Sequence, residues 1–259
     1  MFYEPSKNNH NLPHDPFKAC VIPRPIGWIS TVSISSPPVP NHGNGSSPKI
    51  SHNLAPYSQF NNLTFDPPYV MFSANHQPDP LYPGGGAGIQ KDTVRNVEST
   101  GVFVWNLATW DLRDKVNITA EQFPLGVDEF AKAGLAKEDS KIVSVSIPNA
   151  ERIPVPMVKD SPVRFECEYY TTLRLPGNPP VGAADVVIGR VVGVHIADWA
   201  LTDGKLDVRK TKPIARLGYY EYAVVKETFD MIIPGTDEVI LAGLEGSKKR
   251  VYEVTKGKL

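Results

Sequence analysis

The sequence predicts a mainly β fold, a closed or split β-barrel of Greek-key topology with helices at only a few crossings. Three observations carry this expectation. Short runs rich in β-branched and aromatic residues recur along the chain, separated by connections of Greek-key length that are dense in Gly, Pro, Asn and Ser. Helical periodicity is confined to brief segments near 91–101, 111–123 and 128–133. The regular strand-then-helix alternation of a doubly wound sheet is missing.

Residues 1–16, with their Asn, His and Pro content, read as a polar arm preceding the fold, which begins near Phe17. Trp28-Ile-Ser-Thr-Val-Ser-Ile34 alternates apolar and polar residues and predicts the first strand, followed by a long exposed loop over 35–48. Strands are expected again at 50–58 and 69–74, then a second Gly/Pro-rich loop at 77–90. In the segment after it Val94 and Val97 share a face, Asp92 is placed to cap the start and Gly101 to close the end, which predicts a short amphipathic helix. A buried strand follows from Gly101, then two short helices over 111–123 and 128–133, the second stopped by Gly134. In the strand at 163–175, Phe165, Cys167 and Tyr169 alternate with Arg164, Glu166 and Glu168, and 185–197 is rich in Val and Ile. Residues 212–225 predict a closing strand pair. These readings give one domain over 17–225 and a C-terminal extension over 226–259, whose Met231-Ile-Ile and Val239-Ile-Leu-Ala runs are apolar enough to dock on the barrel or on a partner subunit.

Length and charge narrow the function classes. At 259 residues the chain is long enough to bury a full core without disulfides. A net charge of −1 with scattered Lys and Arg argues against nucleic acid or an anionic membrane as partner and favours small molecules. Cys20 and Cys167 have no ligand-like spacing, and the six histidines form no HExxH, so no metal site is expected. Without a basic start and an apolar stretch, residues 1–16 do not read as a secretion signal, and no window approaches the roughly 18 apolar residues of a membrane helix. A soluble, cytoplasmic protein is expected.

Polar residues in unexpected places mark the candidate site. In Asn53-Leu-Ala-Pro-Tyr-Ser58 a strand carries Asn and Ser around a Pro; Asn53 offers a donor and an acceptor for a heterocycle edge and Ser58 a hydroxyl, although a bulged edge strand explains the block about as well. Lys91 and Thr93, at the start of the predicted helix with Ser73 ending the strand before it, form a candidate phosphate cradle, a weak signal on its own. Arg24, between two prolines, is a further phosphate candidate, and Ser30 and Thr31 could meet a ring; a surface arginine in a rigid turn is the plainer reading of the first. The run Gly84-Gly-Gly-Ala-Gly88 satisfies neither dinucleotide-binding nor P-loop spacing and reads as a flexible loop or lid. Neither a GxSxG nor a Ser-His-Asp pattern is present.

Taken together, Arg24-Pro-Ile-Gly-Trp-Ile-Ser-Thr31, Asn53-Leu-Ala-Pro-Tyr-Ser58, Pro68-Tyr-Val-Met-Phe-Ser73 and Lys91-Asp-Thr-Val-Arg-Asn96, in that order, resemble the flavin reductase-like family of FMN-binding split barrels. Gly126-Val-Asp-Glu-Phe130, Ser161-Pro-Val-Arg-Phe-Glu-Cys167 and Ile188-Gly-Arg-Val-Val-Gly-Val-His195 look like further signatures, so that the resemblance spans about 17–225. It implies a noncovalent FMN, rather than FAD, with Ser30, Thr31, Asn53, Ala55 and Ser58 on its ring side and Arg24, Ser73, Lys91 and Thr93 on its phosphate side. It further implies a homodimer, with His195 on the nicotinamide or substrate side, though a core or interface position is the better prior for that histidine alone. The loops at 35–48 and 77–90 are longer than the resemblance leads one to expect. Three activities follow as expectations: an NAD(P)H-dependent flavin reductase, a flavin-binding electron carrier without turnover of its own, and an FMN-dependent oxidase or oxygenase of a small organic substrate.

Overall fold

The computed structural model describes residues 1–7, 9–35, 49–79, 88–147 and 151–231. The expected loop at 36–48, the glycines at 84–86 and the apolar runs after Met231 lie outside the described residues. The chain divides into two compact units, Met1–Val225 and Lys226–Leu259.

Within the first unit the elements are, in chain order, α1 (Phe17–Cys20), β1 (Arg24–Pro25), β2 (Gly27–Ser35), β3 (Lys49–Tyr57), β4 (Phe60–Phe65), β5 (Pro68–Asn75), α2 (Asp92–Thr100), β6 (Val102–Asn106), α3 (Arg113–Ile118), α4 (Glu129–Lys132), β7 (Lys137–Val145), β8 (Ile153–Val158), β9 (Val163–Pro176), β10 (Ala183–Ile196), β11 (Leu201–Thr202), β12 (Lys205–Leu206), α5 (Val208–Thr211), β13 (Ile214–Gly218) and β14 (Glu221–Val224). The mainly β expectation holds. A seven-stranded antiparallel sheet runs in the order β3-β2-β6-β9-β10-β5-β4, with β3 and β4 at its edges. β1, β13 and β14 form a second sheet, and the β7–β8 and β11–β12 pairs stand apart from both.

The core sits where the period-two pattern places it: Ile29, Phe72, Phe103, Cys167 and Val187 are fully buried around Trp105, stacked on Phe60 with ring centroids 5.1 Å apart. Helix α2 forms as its spacing predicts, with Val94 and Val97 turned into that core. Gly101, at φ 76°, closes the helix by donating its N–H to the Val97 carbonyl at 2.8 Å, a conformation that favours glycine. The start differs from the expectation. Lys91 occupies the cap position with no side-chain capping bond, and Asp92 lies inside the first turn, paired with Arg95. In the segment 111–123 only Arg113–Ile118 is α-helical.

Apart from the two-residue β1, β11 and β12, three strands were not expected: β4, β7 and β8. Pro154 and Pro156 disqualify Ile153–Val158 as a central strand, and it indeed pairs only with β7. This hidden pair also alters the reading of β9. Its Arg164 and Glu166 are buried, because the β7 backbone covers the polar face: the N–H groups of Lys141, Ile142 and Val143 all donate to the Glu166 carboxylate at 2.7–2.8 Å. Residues 1–16 contain one short 3-10 turn (Pro5–Lys7), and touch the barrel where the Tyr219 hydroxyl donates to the Asp15 carbonyl.

Candidate functional site

The edge strand β3, the start of α2 and the segment leading into α4 enclose a cleft of about 280 Å³. Strand β3 brings Asn53, Ala55 and Tyr57; α2 brings Thr93 and Arg95, preceded by Lys91; Gln77, Glu121 and Glu129 complete the charged and polar wall. Four residues singled out from the sequence, Asn53, Ala55, Lys91 and Thr93, thus meet in one place.

The polar groups of the cleft are tied to one another. The Thr93 hydroxyl accepts from the Asn53 amide at 2.9 Å and shares a hydrogen bond with the Tyr57 hydroxyl, whose pKa burial raises. Lys91 donates to the neutral Gln77 carbonyl at 3.2 Å; burial lowers its pKa, with Asp92 opposing. The α2 start has no side chain capping its first-turn N–H groups. A desolvated lysine beside an uncapped helix N-terminus is a setting that favours an incoming anion. Glu129, the first residue of α4, accepts the Leu54 N–H at 3.0 Å, and burial pushes its pKa up. Pro56 and Glu129 together leave little of the β3 edge free to pair with another strand.

The other predicted residues lie elsewhere. Ser30 is fully buried; its hydroxyl donates to the Pro156 carbonyl at 2.5 Å and accepts from Asn106. Thr31, also fully buried, accepts from Asn96 of α2 at 2.9 Å. Neither lines the cleft, since the hydroxyls are spent on fastening β2 to β8 and α2. Ser73 is half-buried on β5, opposite Val186, and does not line it either. Arg24 and Ser58 line a different, wider basin of about 1050 Å³ with Phe17, Arg216 and Tyr220. There Arg24 donates to the carbonyls of Lys18 and Val21. His195 faces Glu166, with Nε2 2.6 Å from the carboxylate, and so belongs to the clamp on β7. Tyr57, Gln77, Arg95, Glu121 and Glu129 line the cleft without having been singled out. Tyr57 sits inside the Asn53–Ser58 block and Glu129 inside the 126–130 block, so both were within motifs already noticed. Among the described residues no cluster of His, Cys, Asp and Glu could hold a metal ion, and no helix is long and apolar enough to cross a membrane.

Fold and site together define a mainly β split barrel with a small polar cleft beside one edge strand. Residues 19–222 match the flavin reductase like domain, and the chain belongs to that family. A protein of Aquifex aeolicus is 34% identical over 203 residues, covering 77% of this chain and 84% of its own. Among solved structures, nitrilotriacetate monooxygenase component B from Bacillus cereus superposes with a TM-score of 0.69 at 28% identity, covering 89% of this chain and 98% of that one. Flavoredoxin of Desulfovibrio vulgaris shares the fold, with a TM-score of 0.56 at 16% identity over 81% of this chain and 90% of its own.

Proposed function

We propose that the chain is an FMN-dependent oxidoreductase in which this cleft receives the flavin's phosphate at Lys91 and Thr93 and its heterocycle along Asn53 and Ala55. The observation that carries the reading is the meeting of the Asn53–Tyr57 edge with the uncapped start of α2 in one cleft. The residues fit the group. Asn53 and Thr93 supply neutral donors and acceptors, Lys91 supplies a cation whose hydrogen-bond partner among the described residues is an amide, and the volume falls just below the roughly 300–1,000 Å³ usual for ligand sites. The related monooxygenase component and the flavoredoxin support a redox role. When bound, the flavin supplies the hydride and electron chemistry, and the protein's part is to bind, orient and tune it. That division of labour accounts for a cleft without an acid–base dyad among its described residues.

NAD(P)H is the proposed donor, with free flavin, oxygen or a protein as acceptor. A homodimer is proposed too, supported by the exposure of Tyr170, Leu173 and Leu175 along the outer half of β9, and sedimentation velocity reads it directly. The functional test is an absorbance spectrum of the purified protein followed by anaerobic NADH and then NADPH. Flavin bands that bleach support the reductase and name its donor. Bands that persist turn the reading toward an electron carrier or a substrate-dependent oxidase, and a colourless protein that takes up no added FMN refutes it.

A further inference from the structure

Among the described residues, five ionisable side chains other than tyrosine line the cleft: the cations Lys91 and Arg95, and the carboxyls Asp92, Glu121 and Glu129. With every carboxyl ionised the wall carries one negative charge in excess, which opposes any anionic ligand at close range. One carboxyl must therefore give up its charge, and the surroundings select which. Asp92 is paired with Arg95, and Glu121 is exposed to water, so both keep their charge cheaply. Glu129 is 8% exposed and pairs with no cation among the described residues; beside its own backbone N–H, its carboxyl accepts a hydrogen bond from the Leu54 N–H. A protonated carboxyl keeps that bond through its carbonyl oxygen and sheds the charge.

We propose that Glu129 is a proton-coupled positioning residue: it holds the β3 edge at Leu54 and takes up a proton when an anionic group enters the cleft. This rests on the flavin reading of the same cleft and adds to it a link between binding and pH. The groups facing Glu129 are Lys91, Asp92 and Arg95 from the α2 side, Glu121 from the segment before α4, and Tyr57 from β3. On its own element stands Asp128, which forms an ion pair with Lys137; Lys137 also lies 2.8 Å from His52 Nδ1, so the negative charge of Asp128 is already answered. Burial, and after it the neighbouring acids Asp128 and Asp92, raise the Glu129 pKa against the lowering effect of its two backbone N–H bonds.

The test compares the wild type with Glu129→Gln, which keeps an acceptor for Leu54 but cannot titrate. FMN affinity is measured by fluorescence quenching between about pH 5 and pH 8, with riboflavin as the probe lacking a phosphate. In the wild type FMN binding is expected to weaken as pH rises, by up to about tenfold per unit where one proton is linked. E129Q is expected to lose that slope and to bind FMN at the high end as tightly as the wild type does at the low end, and riboflavin is expected to show little slope in either. The phosphate's own titration is common to both proteins and cancels in the comparison. The Leu54 amide resonance of the ligand-free protein supplies an independent readout: it should move with pH in the wild type and not in E129Q. Equal FMN slopes in the two proteins overturn the proposal. Failure of both proteins to bind FMN, with the Leu54 resonance still titrating, removes the flavin reading and the proton link with it, while leaving Glu129 as the titrating clasp of β3.

Discussion

Two buried glutamates, one on β9 and one opening α4, show how the same side chain serves scaffold or site. Glu166, on β9, receives three backbone N–H groups from β7 and faces His195; those bonds outweigh its burial and hold its pKa below the ordinary carboxylate value. Glu129 receives only its own N–H and that of Leu54, has no cation paired with it among the described residues, and burial moves it the other way. Asp185 sides with Glu166, because Arg174, His76 and Gln90 all bond to it. Saturated carboxylates rigidify the β9–β10 half, whereas the β3–α2–α4 cleft gathers a half-buried lysine bonded to a neutral amide and a carboxyl whose pKa burial raises.

The largest expected effect breaks the scaffold side. Glu166→Ala leaves His195 and three backbone N–H groups, that of Val143 buried, without their acceptor and should cost about 3–5 kcal/mol in urea unfolding, the range for removing one partner of a buried pair. The pH dependence has a definite sign. Glu166 and Asp185 have depressed folded-state pKa values, so their stabilisation is present above the unfolded carboxylate range, about 4, and is lost as pH falls through the folded values. Glu129 is raised instead, and its contribution declines as pH climbs from its unfolded value toward the folded one. Acid unfolding of the wild type should thus be steep below about pH 4 and shallower in Glu166→Ala. Equal acid profiles would erase the contrast between the two glutamates.

How much of this was legible in the sequence follows the same division. The barrel strands and α2 were readable because their apolar residues keep a period: Trp28 to Ile34, Val94 with Val97, and Val163 to Leu175. β8 was not, because two prolines conceal a strand that pairs on one side alone. Its invisibility carried a cost, since Ser30 and Glu166 look solvent-directed until the β7–β8 pair is laid over them. In the cleft, Asn53 was legible as a polar residue at odds with its strand, Lys91 and Thr93 as a helix start able to meet a phosphate, and Ala55 only through the family resemblance. Glu129 was not, for an acid opening a helix is ordinary, and only the distance to Leu54 distinguishes it.

The next effect in size concerns the cleft. Lys91→Met removes the cation beside the start of α2, and FMN affinity should fall roughly ten- to a hundredfold, as expected for losing a charge-assisted bond. Because Lys91 is half-buried and bonded only to Gln77, its replacement should leave the unfolding midpoint nearly unchanged. Riboflavin binding separates the phosphate from the ring: a loss equal to that for FMN would place the lysine on the heterocycle instead.

The smallest effect is the most discriminating, because it concerns a residue that sequence and structure read differently. Ser30 stands beside Thr31 in the motif that suggested a ring contact, yet its hydroxyl donates to the Pro156 carbonyl and accepts from Asn106, whose own side chain bonds to Trp28 and Val158. If that network is the whole role of Ser30, Ser30→Ala should lower stability by about 1 kcal/mol and leave FMN affinity within about twofold. The opposite pattern, unchanged stability with weakened flavin binding, would mean that β2 turns toward the ligand when the site fills and that the scaffold half is less rigid than its saturated carboxylates imply.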